Sequence, residues 1–224
     1  MDCRLLPRAR TTDAAAVLAD RGIVVIDQFL SGALCRQIVL ESRKGIWLPS
    51  TVAEGDVKAR SRRTSGNGRN SSTLCDHHPS ERMRRCTSGV EGALESILDI
   101  NPDYLEPWQV TSYVAGQGFD FHLDCGGWRN HVSGERRRSI LLYLQTPEGG
   151  GQTFFRALNI RVRPIAGRLV VWNNLLPNGN CNHAMVHAGL PVTRGCKMIL
   201  STWERERPFV RASEEKNSYG NQEL

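Results

Sequence analysis

The sequence lacks several features by which whole classes of protein are recognised. No apolar run approaches the roughly 20 residues that a membrane-spanning helix needs, and the first ten residues contain no apolar segment of the kind found in signal peptides. The seven cysteines are odd in number and scattered, and no two form a Cys-x-x-Cys pair. This pattern argues against a secreted disulfide framework and against a structural zinc site. We therefore expect a cytoplasmic protein without a membrane partner.

The sequence also lacks an internal repeat and a polar linker between two independently patterned halves. Hydrophobic residues make up 40% of the chain and charged residues 23%, as in ordinary globular proteins. A chain of 224 residues is long enough for a single core to bury most of its apolar surface. We therefore predict one domain over residues 1–224.

The excess of positive charge is confined to one stretch of the chain. Residues 58–86 hold eight basic and two acidic side chains, and this difference equals the net charge of +6 of the whole chain. A nucleic-acid-binding surface usually carries its basic residues on a folded face, whereas these lie among serine, glycine and asparagine. We therefore expect no nucleic-acid partner.

The segment from about residue 51 to residue 88 shows almost no apolar periodicity. A loop this long inside a domain is usually functional or disordered, and many active-site lids have this character. We predict a lid-like loop, whose arginines either grip a carboxylate or phosphate of the substrate or are simply solvated. A helix is expected to resume near residue 90 and to end near residue 98.

The remaining pattern predicts a mainly β protein with flanking α-helices. In an N-terminal support, about residues 1–106, we predict a helix over about 12–22, a buried strand over 23–26 and a helix that begins at Ser31. Residues 208–224 are predicted to be a polar tail. Short strands separated by glycine, proline and asparagine indicate a sandwich, a barrel or a jelly roll. The predicted core, about residues 107–207, contains eight such strands, over 108–114, 119–123, 139–144, 152–155, 160–162, 168–172, 184–187 and 197–203.

A candidate metal site begins with His122 and Asp124, which stand two residues apart in an alternating apolar and polar segment. On a strand, side chains at i and i+2 share a face, so an imidazole and a carboxylate project together. With one further histidine they would form the 2-His-1-carboxylate triad of non-haem iron oxygenases, which leaves coordination positions open. A hydrogen-bonded pair at a strand end is the alternative interpretation of this short pattern.

The second half of the site is residues 187–197, His-Ala-Gly-Leu-Pro-Val-Thr-Arg-Gly-Cys-Lys. Together with His122 and Asp124, this segment resembles the prolyl 4-hydroxylase-like family of 2-oxoglutarate/Fe(II)-dependent dioxygenases. The likeness covers most of residues 23–207 in the expected order. Further matching segments are 25–31, 63–65, 108–113, 116–118, 150–155, 164–167 and 172–174. The resemblance implies a double-stranded β-helix, which is a jelly-roll type of core.

The resemblance also implies a role for individual residues. His122, Asp124 and His187 would ligate Fe(II), and Lys197 would form an ion pair with the distal carboxylate of 2-oxoglutarate. A dianion in a buried site needs a fixed cation, because an unpaired buried charge is very costly. Tyr113 would hydrogen-bond the same carboxylate, and Thr153 would border its pocket. If Lys197 points inward, the residues on the same strand face follow it: Ile199, Ser201 and Trp203.

Several other residues are candidates by type or position. His77, His78, His131 and His183 could be ligands by residue type, but the motif points to His187. Substrate contacts are expected from Arg63, which lies in a family-like Arg-Thr-Ser, and from four residues near the metal motifs. These four are Trp128, Arg129, His131 and Trp172.

The resemblance predicts an enzyme that uses Fe(II), 2-oxoglutarate and O2, with ascorbate as an additional reductant. Such an enzyme hydroxylates an unactivated C–H bond and releases succinate and CO2. We expect a small amino-acid-like, carrier-bound or peptide-like substrate that is anionic. The alternatives are hydroxylation of a prolyl or other residue in a protein, and a non-catalytic jelly roll that binds anionic partners through residues 58–86. The sequence leaves the oligomeric state open.

Overall fold

The computed structural model describes residues 13–50, 68–75 and 80–210. Three α-helices lie in these ranges: α1 (Ala14–Arg21), α2 (Gly32–Ser42) and α3 (Glu81–Leu98). The strands in these ranges are β1 (Ile23–Ile26), β2 (Ile46–Pro49), β3 (Ser72–Cys75), β4 (Gln109–Val114), β5 (Phe119–His122), β6 (Arg136–Gln145), β7 (Gly149–Gly150), β8 (Thr153–Phe155), β9 (Ile160–Val162), β10 (Leu169–Asn173), β11 (His187–Gly189), β12 (Val192–Arg194) and β13 (Cys196–Arg205). None of the described helices is long and apolar enough to cross a membrane.

The strands form two main antiparallel sheets. The larger sheet has seven strands in the order β1-β10-β6-β13-β4-β3-β2, and the smaller has four in the order β5-β11-β8-β9. Strands β12 and β7 form a separate pair. The fold is therefore mainly β with flanking helices and a jelly-roll core, as predicted.

Strand β10, inside the larger sheet, is buried on both faces. Along β10, Leu169 and Val171 join the apolar cluster that the helices cover, whereas Val170 and Trp172 join a second cluster together with Phe155 of the smaller sheet. This alternation is the period-two pattern of a strand whose two faces are both covered. The second cluster forms the inner layer that surrounds the candidate site.

The expectation of one loop from residue 51 to residue 88 is wrong for its described parts. β3 pairs with β2 and β4, and α3 begins at Glu81, where the hydroxyl of Ser80 accepts a hydrogen bond from the Met83 amide. Met83, Cys86 and Val90 are buried at helical spacing. The arginines between them hide this apolar face in the sequence. Residues 51–67 and 76–79 of the predicted loop lie outside the described residues, as do residues 211–224 of the predicted tail.

Two further features differ from the sequence analysis. Residues 183–185 form a 3-10 turn rather than a strand, because the Asn182 side chain accepts a hydrogen bond from the Ala184 amide, and β11 then begins at His187. Cys125 and Cys181 form a disulfide, a pairing that the scattered cysteines did not suggest.

Candidate metal centre

The two candidate histidine ligands lie opposite each other on neighbouring strands. In the register of β5 and β11, His122 is paired with His187, and their ring centroids are 4.2 Å apart. Asp124 follows just beyond the end of β5. One carboxylate oxygen, Oδ1, is 3.6 Å from Nε2 of His122, and the other, Oδ2, is 3.9 Å from Nε2 of His187. The sheet register thus brings together two segments that are distant in sequence.

Hydrogen bonds to the backbone set the protonation pattern of both histidines. Nδ1 of His122 is 2.7 Å from the Asp120 carbonyl oxygen, and Nδ1 of His187 is 2.9 Å from the Met185 carbonyl oxygen. A carbonyl oxygen only accepts, so each Nδ1 carries a proton, and Nε2 is the ring nitrogen left to face a metal. Burial, followed by the neighbouring His187, lowers the pKa of His122 to about 4. That ring is therefore neutral at pH 7, as a metal ligand must be.

The third candidate ligand, Asp124, is ionised. Burial by itself raises the pKa of this carboxyl group. The opposing effects of His187 and His122, together with weaker contributions, are larger, so the pKa falls to about 2. Those weaker contributions come from the charge of Arg136 and a hydrogen bond from Ser139. The site therefore holds one negative charge at neutral pH, a suitable partner for a divalent cation.

The three side chains fit a divalent iron ion. Each offers one ligand atom, and these atoms all lie within 4.8 Å of one another. Two neutral imidazoles and one carboxylate are the donor set of the facial triad of non-haem iron oxygenases. The predicted ligands His122, Asp124 and His187 are thus brought together, whereas His183 is exposed in the preceding turn. His77 and His78 lie outside the described residues.

Lys197 is a buried cation that has no counter-ion in the part of the chain that the structure describes. It is only 2% exposed, and its Nζ donates to the Gly151 carbonyl oxygen at 3.1 Å and lies 4.2 Å from the centre of the Tyr113 ring. Among the described residues, no carboxylate lies within ion-pair distance of it. Burial lowers the pKa of Lys197 to about 8. An anion bound beside Lys197 would neutralise this buried charge.

Two hydroxyl groups border the same cavity as Lys197. Tyr113 and Thr153 both line it, and burial raises the pKa of the Tyr113 phenol. The Thr153 hydroxyl is 2.6 Å from the hydroxyl of Tyr143, a buried residue that the sequence analysis did not identify. The two predicted cofactor-binding hydroxyls therefore lie where a carboxylate near Lys197 could accept from them.

The same cavity joins the metal site to the Lys197 site. Its wall on β13 consists of alternate residues, Lys197, Ile199, Ser201 and Trp203, as the strand period predicts. Trp172 also lines the cavity, with its ring edge-on to His187 at a centroid distance of 4.8 Å. A ligand in the cavity would contact both the metal and the lysine.

The other predicted substrate contacts lie away from this cavity or outside the described residues. Trp128 stacks on the guanidinium groups of Arg136 and Arg205 at 4.7 Å from each. His131 accepts a hydrogen bond from the Ser133 amide, and Arg129 is exposed. None of these three lines the cavity. Arg63 lies outside the described residues, so its role stays a prediction.

Besides Tyr143, sequence reasoning missed three residues at the site. Arg69 lines the cavity, packs over Phe119 at 4.9 Å and donates to the Ser71 hydroxyl. It was counted only as one of eight basic residues in a loop. Ser139 contacts Asp124, and Asn174 contacts Ser139. No local pattern marks Ser139, and the resemblance of residues 172–174 assigned no role to Asn174, because the partners of both residues lie in other segments.

Comparison with known proteins gives a consistent result. Residues 108–205 match the family model of the 2OG-Fe(II) oxygenase superfamily. The chain is 25% identical to prolyl 4-hydroxylase 13 of Arabidopsis thaliana over 194 residues, which covers 77% of this chain and 67% of that protein. It is 36% identical to a putative prolyl 4-hydroxylase of Acanthamoeba polyphaga mimivirus over 115 residues, which covers 48% of each.

A solved structure shows the same fold. The viral collagen prolyl hydroxylase vCPH of Paramecium Bursaria Chlorella virus-1, in its 2OG complex, superimposes with a TM-score of 0.62 at 25% identity, covering 82% of this chain and 96% of that one. The chain spans two thirds of the Arabidopsis relative and only about half of the mimivirus relative. Residues 108–205 thus match the 2OG-Fe(II) oxygenase superfamily, whose cofactor set is Fe(II), 2-oxoglutarate and O2, and the relatives that the chain resembles are named as prolyl 4-hydroxylases.

Proposed function

We propose that this protein is a 2-oxoglutarate-dependent hydroxylase that acts on a prolyl residue of a peptide or protein. Fe(II) with 2-oxoglutarate supplies the oxidising chemistry: one atom of O2 enters a C–H bond as a hydroxyl group, and the other enters succinate as 2-oxoglutarate loses CO2. The observation that carries the proposal is Lys197, a buried cation with no counter-ion among the described residues, in the same cavity as His122, Asp124 and His187. A folded protein rarely keeps such a charge unless a ligand uses it.

The residues of the chain divide the work of binding. His122, Asp124 and His187 would hold the iron through two Nε2 atoms and one carboxylate oxygen. Lys197 would bind the distal carboxylate of 2-oxoglutarate, with Tyr113 and Thr153 as hydrogen-bond donors. The apolar side chains that line the cavity exclude water and so strengthen these charged contacts. They include Phe119, Ile140, Leu141 and Ile199.

The substrate proposal rests on the relatives. Those compared above are named as prolyl hydroxylases, which favours the prolyl reading over the small amino-acid-like substrate that the sequence analysis placed first. The expected anionic character of the substrate, the cytoplasmic location, the absence of nucleic-acid and membrane partners and the use of ascorbate stay predictions.

The experiment compares substrates of different classes under identical conditions. Protein loaded anaerobically with Fe(II) and 2-oxoglutarate is exposed to O2 in the presence of free L-proline, poly-L-proline, end-capped prolyl peptides or a pool of other free amino acids. Succinate release and the gain of one oxygen atom by the substrate are measured together, because succinate alone also forms in uncoupled turnover.

Each outcome decides between the alternatives. Hydroxyproline formed in a peptide, in proportion to succinate, supports the proposal. Oxygen gained only by a free amino acid overturns the prolyl-peptide assignment and favours a small-molecule hydroxylase. Absence of both turnover and Fe(II)-dependent 2-oxoglutarate binding overturns the enzymatic assignment and leaves the non-catalytic binding module.

We expect 2-oxoglutarate affinity to fall as the pH rises through about 8. The pKa of Lys197 without ligand is about 8, so above this pH the lysine must take up a proton before it can pair with the carboxylate. The affinity should decline by up to about tenfold per pH unit, since one proton is linked to binding. Anaerobic titration of Mn(II)-loaded protein from about pH 6.5 to 9.5 measures this.

Lys197→Arg provides the matched comparison for this pH series. An arginine stays protonated throughout the range, so whatever affinity this variant retains should not show the decline assigned to lysine. An equal decline in both proteins would assign the pH dependence to the metal site instead of Lys197.

A further inference from the structure

The carboxylate of Asp124 has a hydrogen-bonded support that reaches well beyond the metal site. The Ser139 hydroxyl donates to Oδ2 of Asp124 at 2.5 Å. The Asn174 side-chain amide in turn donates to the Ser139 hydroxyl at 2.9 Å. Asn174 is only 1% exposed and Ser139 only 2% exposed, so water does not compete for these contacts.

The direction of this chain of hydrogen bonds follows from the chemistry of its members. The Ser139 hydroxyl is the donor in its contact with Oδ2 of Asp124, and the oxygens of a carboxylate ligand only accept. Ser139 must therefore give its single proton to Asp124, and its oxygen is left to accept. Only the NH2 group of Asn174 can donate to that oxygen, which fixes the orientation of the Asn174 amide.

The backbone of Asn174 links the same residue to the second histidine ligand. Its carbonyl oxygen accepts a hydrogen bond from the Asn182 amide at 2.7 Å, and the Met185 amide donates to the Asn182 carbonyl at 2.9 Å. The Met185 carbonyl oxygen then accepts from Nδ1 of His187. Asn174 is thus connected to Asp124 through its side chain and to His187 through its backbone.

We propose that Asn174 is a positioning residue of the iron site, which acts through Ser139 to hold the carboxylate of Asp124 in its ligating orientation. A donor on Oδ2 directs one lone pair of that oxygen away from the metal and stops rotation of the carboxylate. Groups that orient metal ligands in this way typically contribute about 10–100-fold to metal affinity. The inference concerns metal binding and does not depend on which substrate is hydroxylated.

The test is a double-mutant cycle on metal affinity, measured without turnover. Metal-free wild-type, Ser139→Ala, Asn174→Ala and the double variant are titrated anaerobically with Mn(II), and the free ion is followed by electron paramagnetic resonance. We expect each single variant to lose about 10–100-fold in Mn(II) affinity. Because Asn174 acts through Ser139, the double variant should bind no more weakly than Ser139→Ala alone.

Two comparisons separate positioning from general damage to the fold. Asn173→Ala removes an amide that donates to the Leu18 carbonyl oxygen at the same strand end, and it should change Mn(II) affinity less than about twofold. Ser139→Thr keeps the hydroxyl and should restore most of the affinity lost in Ser139→Ala. If Asn174→Ala fails to fold, Asn174→Leu has a similar shape without the donor and replaces it in the cycle.

The outcomes distinguish this inference from the proposed function. Wild-type affinity in Ser139→Ala, or fully additive losses in the double variant, would overturn the relay while leaving the iron site intact. Failure of the wild-type protein to bind Mn(II) or Fe(II) would instead contradict the proposed function.

Discussion

Replacing Lys197 with methionine is expected to abolish useful 2-oxoglutarate binding and yet to make the metal-free protein more stable. Lys197 is the only cation among the described β13 residues that line the cavity. Without it, the ligand carboxylate would lose its buried partner. Leaving one member of a buried charge pair alone typically costs about 3–5 kcal/mol, which corresponds to about 10²–10⁴-fold in affinity. Anaerobic titration of Mn(II)-loaded protein with 2-oxoglutarate measures this loss.

The stabilisation has the opposite cause. Without ligand, burial lowers the pKa of Lys197 from 10.5 to about 8, so the charged lysine disfavours the folded state by about 3 kcal/mol at neutral pH. The folded protein binds fewer protons than the unfolded chain between these two pKa values, so stability rises across this pH range. The advantage of the methionine variant in chemical denaturation should therefore be largest at pH 7 and should shrink as the pH approaches about 10.5.

Lys44→Met is the matched control, because the Lys44 side chain is 68% exposed and lies outside the cavity, although its partner Glu41 is only 5% exposed. It should leave 2-oxoglutarate affinity unchanged and should not stabilise the protein, because the buried carboxylate of Glu41 loses a partner. A Lys197→Met protein that binds 2-oxoglutarate normally would contradict the assignment of this lysine. A destabilised variant would contradict the description of Lys197 as an unbalanced buried charge.

Asp124→Ala is expected to give the largest loss of metal affinity. Asp124 is the only anionic ligand of the triad. The two imidazoles alone would hold a divalent cation weakly. The loss should exceed the 10–100-fold that is typical of removing a group that only supports a ligand, so it should be larger than in Ser139→Ala. Succinate formation should fall to background in the same variant.

Asp120→Asn is the control for this substitution. Asp120 lies four residues before Asp124, its side chain is exposed, and its backbone carbonyl oxygen makes the hydrogen bond with the His122 ring. Its replacement should preserve both metal affinity and turnover. Equal losses in the two variants would show that the segment, and not the carboxylate of Asp124, determines metal binding.

Much of the site was predictable because its chemistry is local. The period of a strand predicts that His122 and Asp124 share one face. The same period places alternate residues from Lys197 to Trp203 on one face of β13. The segment from His187 to Lys197 is long and specific enough for the family resemblance to indicate both a ligand and a cation. Helices α1 and α2 were likewise predicted, because the signals for each lie within its own segment, and these include the Ser31 cap of α2.

Other features depend on contacts between distant segments. The start of α3 was missed because arginines separate Met83, Cys86 and Val90, and the apolar face becomes visible only against the sheet. Arg69 reaches the cavity because an isolated bridge joins its backbone to Phe119, and no pattern within residues 51–88 indicates this. Trp128 and His131 follow the metal motif closely in sequence, yet the chain turns them away from the cavity.

The amino-acid sequence alone determines which residues can ligate iron, which cation can bind a carboxylate and which strands alternate between two faces. These properties depend on side-chain chemistry and on periodicities of a few residues. The tertiary structure alone decides that His122 faces His187, that the Ser139 hydroxyl donates to Asp124, and that the Asn174 amide donates to Ser139. Sheet register sets those contacts, and it depends on the packing of whole strands, which no short segment specifies.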